Sequence, residues 1–364
     1  MTTHGKFGRC SPLKGNSLMK AVVSTVCHKI FRGEFFLYDM NAMRFNTRIF
    51  NCLFIVLLVG CERSVPTPTS GTFESMGTTI TVFPYAAMPI VQDVFVLTDS
   101  QMSEWKEDSP LALINQHAGN TPVQVPQNLF HVIQRSLEIA EMTSGAFDPT
   151  WASLWELWKF DENHAVPSQE QVDALLPSVN WKNVILNKNE QSVYLPLGNI
   201  GLGGIAKGVA LDNAREVLLQ QGFADFMIIA GGQVLVQGLN GRKRWRVGIR
   251  DPEKSQAEYF AVLELTDTCV STSGHYEKFF FEDGVRYHHI IDPRTGFPSE
   301  GVQSVTVISQ DAALADALST AFFIMETGEA IQLAEELSAV EVMIITSDGS
   351  IHQSSEFQLS LEIN

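Results

Sequence analysis

At 364 residues, with 45% hydrophobic and 18% charged side chains, the chain can bury a sizeable core as one large or two modest domains. A formal net charge of −16 excludes a sequence-independent nucleic-acid binder, which needs Lys and Arg gathered on one face. Any polyanionic ligand must then be met by a few local cations or a metal ion. Five cysteines without a C-x-x-C pair or zinc spacing, only Cys269 of them beyond residue 61, exclude a disulfide framework for the folded part.

Residues 1–39 carry no clear periodicity and read as an upstream extension, with Met40 or Met43 as candidate starts. Arg44 and Arg48 form a positive n-region before the apolar run 52–60, which is too short to cross a bilayer comfortably and suits a signal-peptide h-region. The run ends in Leu-Val-Gly-Cys at 58–61, which resembles the lipobox of bacterial lipoproteins. That resemblance implies export, acylation of Cys61 and anchoring in a bacterial membrane, the inner one, facing the periplasm. Residues 1–60 are thus extension plus signal peptide, 61–71 a lipidated cysteine and a Pro/Ser/Thr-rich tether, and 72–364 the folded domain.

Residues 73–83 are β-rich and contain Ser75-Met76-Gly77-Thr78. Helical spacing runs over 93–105, ending in Ser103-Glu104-Trp105, and over 128–143. Residues 145–150 (Gly-Ala-Phe-Asp-Pro-Thr) form a turn whose Asp148 would cap a helix at 151–158. Trp151, Trp155 and Trp158 share one face of that helix, a pattern more typical of core than of a stacking platform. A short helix at 169–176 and a hairpin at 184–195 follow. Residues 201–208 (Gly-Leu-Gly-Gly-Ile-Ala-Lys-Gly) then form a glycine loop that opens an amphipathic helix reaching Gly222. Free N–H groups at the helix start and Lys207 suit a phosphate, although the spacing fits neither common nucleotide fingerprint and a plain strand-to-helix joint reads equally well. Strands are expected at 226–230, 234–238, 245–249, 260–265, 278–282 and 285–291, with Asp283-Gly284 as a hairpin turn.

Three constellations can carry chemistry. On a helix beginning at Asp311, its N-cap, Asp316 and Thr320 lie one turn apart and point a carboxylate and a hydroxyl at one spot. Hard oxygen donors of that kind suit Mg²⁺; the plainer alternative has Thr320 bonded back to the carbonyl of Asp316 and Asp316 merely solvated. In the segment Tyr287-His288-His289-Ile290-Ile291-Asp292-Pro293-Arg294-Thr295-Gly296 the adjacent histidines face opposite sides, so one at most is a general base. Residues 271–277 read as a hydroxyl-rich loop able to donate to phosphate or cap an element.

Four motifs occur in order: Gly-Gly-Ile-Ala-Lys-Gly at 203–208, Thr-Ser-Gly at 272–274, Tyr-x-His-Ile-Ile-Asp-Pro-Arg-Thr-Gly at 287–296 and Ala-Asp-Ala-x-x-Thr-Ala at 315–321. Together they resemble the ApbE family of FAD:protein FMN transferases. The resemblance implies an α+β fold of mixed, largely antiparallel sheets with flanking helices, and two lobes with a ligand cleft between them. It also implies Mg²⁺-dependent transfer of FMN from FAD to a Ser or Thr hydroxyl of an exported acceptor protein of a redox complex, releasing AMP. Carried over by position, Asp316, Thr320 and a backbone carbonyl of Gly204 would hold the magnesium. Met76, Trp105, Ala146, Phe147, Asp148, Lys207, Thr272, Ser273 and Ile291 would line the FAD site, and His289 would activate the hydroxyl. Hydrolysis of FAD to FMN and AMP, and a non-catalytic FAD-binding lipoprotein, are the competing readings. Two positions depart from the family pattern: Gly201 and His275 stand where aspartates are common.

Overall fold

Polar and apolar residues alternate along β1 (Gly71–Ser75) and β2 (Thr78–Phe83), so each strand has one face to bury. The two pair antiparallel across Met76 and Gly77, whose φ angles of 49° and 71° make the two-residue turn that matches strand twist. The computed structural model describes residues 70–160, 164–254 and 258–358, so the signal-peptide region and Cys61 lie outside the described residues.

The chain continues through α1 (Met88–Met102), α2 (Pro110–Gln116), β3 (Val123–Gln124), α3 (Gln127–Met142), the 3-10 turn Pro149–Leu154, α4 (Gln169–Leu175), β4 (Ile185–Asn187) and β5 (Ser192–Tyr194). After α5 (Ala206–Gln220) come β6 (Phe226–Ala230), β7 (Gln233–Gln237), β8 (Trp245–Arg250), β9 (Tyr259–Leu265), β10 (Thr268–Gly274), β11 (Phe279–Glu282), β12 (Val285–His288) and β13 (Val302–Ser309). The chain then forms α6 (Ala312–Ile324), α7 (Thr327–Glu336), β14 (Val340–Thr346) and β15 (Ile351–Gln353).

Eight strands build the main sheet in the order β1-β2-β6-β7-β10-β13-β14-β15, every neighbouring pair antiparallel. Strand β10 shows how its two faces are used. Cys269 joins the cluster of α1 and α5, and Ser271 and Ser273 meet Ser319 of α6 at 3.1 and 2.9 Å, whereas Val270 faces the apolar cluster of β8 and β9. Helices thus cover one face and the β8–β9 hairpin the other. The mixed, largely antiparallel α+β expectation is borne out.

Helix α6 is apolar nearly all round and buried nearly all round. Its start is fixed by its own cap, Asp311, which accepts from Leu314 N and pairs with Arg135. It is fixed again by Asp212 of α5, which accepts from the N–H groups of Ala312 and Ala313 at 3.1 and 2.9 Å. Its C-terminal end is held by Arg294, which bonds the Ile324 carbonyl while forking onto Asp292. The Asp292-Pro293-Arg294-Thr295-Gly296 segment is therefore a clasp on the end of α6, locked from the other side by the Trp158 indole on the Gly296 carbonyl.

Three expected elements differ. The helix expected at 93–105 spans Met88–Met102, and Ser103 is already extended. The expected helix 151–158 is instead the 3-10 turn Pro149–Leu154; Trp158 is core, whereas Trp151 and Trp155 form an edge-to-face row with Trp105. The strand expected at 285–291 stops at His288, where Ile290 N–H turns to the His288 ring.

A candidate active site at the glycine loop

The glycine loop is clamped from two sides. Asn115 of α2 holds Ile200 through both its backbone groups, at 2.9 and 2.8 Å, and Gly201 N–H donates to the Pro149 carbonyl. On the other side Gly208 N–H donates to Asp316 Oδ2 at 3.0 Å. A Cβ at Gly208 would lie 2.2 Å from the Ala312 carbonyl oxygen, so only glycine lets α5 and α6 come this close. The N–H groups of Ile205 and Ala206 are spent on Leu202, which leaves those of Gly203 and Gly204 without a hydrogen bond among the described residues. The free donors therefore sit two and three positions before the helix start at Ala206, not on it.

Asp316 is only 4% exposed, with one carboxylate oxygen on Gly208 and the other 3.9 Å from Lys207 Nζ. Thr320 does not bond back to Asp316: that bond is made by Ser319, at 2.9 Å, and the Thr320 hydroxyl has no partner among the described residues. It lies 3.7 Å from where a Cβ on Gly204 would be, beside the Phe147 ring. Lys207 also reaches the Gly203 carbonyl at 3.2 Å, so a cation already sits among these oxygens. Among the described residues no cluster of three His, Cys, Asp or Glu side chains could hold a metal, so a cation here must take one carboxylate plus neutral oxygens. That donor set suits Mg²⁺, which keeps several waters.

The histidines separate as expected. His288 is buried against Phe323, accepts from Ile290 N–H at Nδ1 and so donates from Nε2 to the Ser299 carbonyl, a neutral structural ring. His289 turns the other way, and its Nδ1–H donates to the Lys278 carbonyl at 3.2 Å, leaving the Nε2 lone pair free. Burial holds its pKa down at about 4, helped by His288 and by the field of Lys207.

Other assigned residues are placed differently. Residues 271–274 belong to β10, not to a loop, so neighbours alternate: Ser273 faces α6, but the Thr272 hydroxyl is on the opposite sheet face, bonded to Thr306 at 3.0 Å. Asp148 spends its carboxylate on Thr150 and on Trp181 N–H, as a cap. Ala146 and Ile291 are buried in apolar clusters. Phe147 adjoins Gly204, Met76 packs between the clusters of α1 and α6, and Trp105 is 61% exposed beside Trp155.

A model of the ApbE family matches residues 76–344. The chain belongs to the ApbE family. Among ApbE relatives, an FAD:protein FMN transferase of Vibrio cholerae is 31% identical over 322 residues, covering 84% of this chain and 96% of that protein. One of Treponema pallidum is 34% identical over 287 residues, covering 73% and 79%. The crystal structure of the ApbE protein from Thermotoga maritima superposes with a TM-score of 0.74 at 34% identity, covering 79% of this chain and 96% of that one. Flavin transferase ApbE from Vibrio cholerae superposes at 0.71 with 28% identity, over 79% and 97%.

At Gly201, where the family resemblance leads to an expectation of aspartate, Glu104 of the α1–α2 connection brings its Oε1 to 3.5 Å from the point a Cβ would occupy. The loop thus faces a carboxylate supplied from another element. Burial raises the Glu104 pKa while Lys207 opposes the rise. The sequence holds no signal for this beyond one acid between two aromatic-rich segments. His275, the second departure, takes Arg286 against its ring and stays neutral, with a pKa of about 4 set by burial and that guanidinium.

The three neutral histidines bear on acid stability. His275, His288 and His289 all have folded pKa values of about 4 against an ordinary 6.5. Their contribution is complete above pH 6.5 and is lost as pH falls toward 4, because the unfolded chain takes up protons first. The raised carboxyls of Glu104, Asp148 and Asp212 act in the opposite sense. The urea midpoint of a His288→Asn variant should therefore fall less steeply between pH 7 and pH 5 than that of the parent; equal slopes would remove His288 from this account.

Proposed function

We propose that the chain transfers FMN from FAD to a Ser or Thr hydroxyl of an exported protein, with release of AMP. The observation that carries this reading is the Asp316–Thr320 pair on α6, set against Gly204 and Lys207 of the glycine loop. The names of the relatives, FAD:protein FMN transferase, support it.

Asp316, Thr320 and the Gly204 carbonyl would hold Mg²⁺, which supplies charge neutralisation on the pyrophosphate. Lys207 and the N–H groups of Gly203 and Gly204 take remaining phosphate oxygens. The acceptor hydroxyl attacks the phosphorus on the FMN side, the bond to the AMP phosphate breaks, and the hydroxyl proton passes to Nε2 of His289. Phosphates drawn to Lys207 would offset its field on His289, the smallest of the causes that hold the imidazole down, burial being the largest.

Full-length protein mixed with FAD, Mg²⁺ and candidate acceptors should give flavin fluorescence that survives a denaturing gel. Consumption of FAD with FMN and AMP free and no protein-bound flavin would make the chain a pyrophosphatase instead. The basic, apolar and cysteine pattern over 44–61 supports a lipid-anchored protein facing the periplasm. Cys61→Ser should move the protein from the membrane to the soluble fraction, and continued membrane association would overturn the anchor. No helix of the described residues is long and apolar enough to cross a membrane.

A further inference from the structure

Two polar side chains that the transfer step does not use face the same stretch of glycine-loop backbone. Glu104 Oε1 lies 3.5 Å from the point where a Cβ on Gly201 would sit and 3.8 Å from the corresponding point on Gly203. The Trp151 indole nitrogen lies 3.6 Å from the Gly201 point. Apart from a bond from its own backbone N–H, the Glu104 carboxylate takes no hydrogen bond among the described residues, and the Trp151 indole N–H makes none. Both stand beside the row Trp105–Trp155–Trp151, with ring centroids 4.9 and 5.2 Å apart and Trp105 largely open.

A carboxylate beside a phosphate-binding loop repels the phosphates, and burial makes its charge dearer still. Lys207 offsets part of this but makes no bond to it. An acceptor with capacity to spare next to an open donor, beside the exposed Trp105 ring, fits a neutral hydroxyl-bearing group that both gives and takes a hydrogen bond.

We infer that Glu104 and Trp151 form a sugar-reading subsite beside the phosphate loop. Glu104 accepts from a hydroxyl of the dinucleotide, and Trp151 donates to an oxygen next to it. This rests on the transferase reading, which makes FAD the ligand. FAD offers such hydroxyls twice, on the ribose of its adenosine half and on the ribityl chain of its flavin half. A site built to bond a hydroxyl discriminates against ligands that lack one there, so these two residues set which dinucleotides are accepted.

The test measures dissociation constants of FAD, FMN and ADP, each with Mg²⁺, for the full-length parent and for Glu104→Ala, Glu104→Gln and Trp151→Phe. Glu104→Ala should weaken FAD about tenfold, the loss expected for a hydrogen bond to a charged group. Glu104→Gln should lose less, because it keeps an acceptor oxygen, and unliganded thermal midpoints should not fall. Loss shared by FAD and ADP alone places the subsite on the ribose; loss shared by FAD and FMN alone places it on the ribityl chain. Affinities within twofold of the parent for all three ligands, or tighter binding once the carboxylate is gone, would overturn the subsite. A parent that binds no FAD would instead bring down the transferase reading and the subsite with it.

Discussion

Asp316→Asn should lower flavin transfer by roughly 10³-fold, about 4 kcal/mol of lost transition-state stabilisation, with little change in thermal midpoint. The amide has the same shape and can still accept from Gly208 N–H, so the α5–α6 contact survives. What disappears is the one carboxylate charge among the oxygens proposed to hold the cation. The shortfall should shrink as Mg²⁺ is raised. Rates of protein-bound flavin formation against Mg²⁺ concentration check this, and a variant within about tenfold of the parent at every concentration would show that Asp316 is not a metal ligand.

Gly208→Ala should be strongly destabilising. Its Cβ would lie 2.2 Å from the Ala312 carbonyl oxygen and 2.6 Å from Ala313 Cα, backbone atoms that cannot swing aside. Ala312 and Ala313 are themselves held by Asp212, and the neighbouring cap Asp311 by Arg135. Relief therefore requires prying α5 from α6, at about 3 kcal/mol, the upper range for overpacking. That corresponds to a fall of roughly 5 °C in thermal midpoint for a domain of about 290 residues. Because Gly208 also positions Asp316, transfer should fall with it. Gly203→Ala is the contrast: its Cβ would meet only Glu104 Oε1 at 3.8 Å, so its midpoint should stay within about 1 °C. Equal midpoints for both variants would refute the close-packing account.

How much of this was legible in the sequence follows from where each signal lies. The site helix could be read because a cap, an alanine-rich body and an i, i+4 polar pair all sit within a single segment. The β11–β12 turn was legible because Asp283-Gly284 adopts positive φ at both residues. Strands β13 and β14 are buried on both faces and so lack the alternation that marks a half-buried strand. The tryptophan spacing at 151–158 mimicked a helix, whereas cross-contacts with Trp105 and a proline at 149 shape a tighter turn. The family motif pairs Thr272 with Ser273, but both lie on a strand, whose period-two geometry forbids both from facing α6. Glu104 was out of reach altogether, since only the folded chain brings the end of α1 to Gly201, almost a hundred positions later.

The helix that carries Asp316 and Thr320 is walled in on nearly every side, its two ends tied by Asp212 and Arg294. Catalytic centres are often mounted on parts that fray early; here the amide protons around the key pair can exchange only when the entire unit opens. Loss of activity on heating and loss of fold should consequently coincide in a single event, with no warm, intact, inactive form between them.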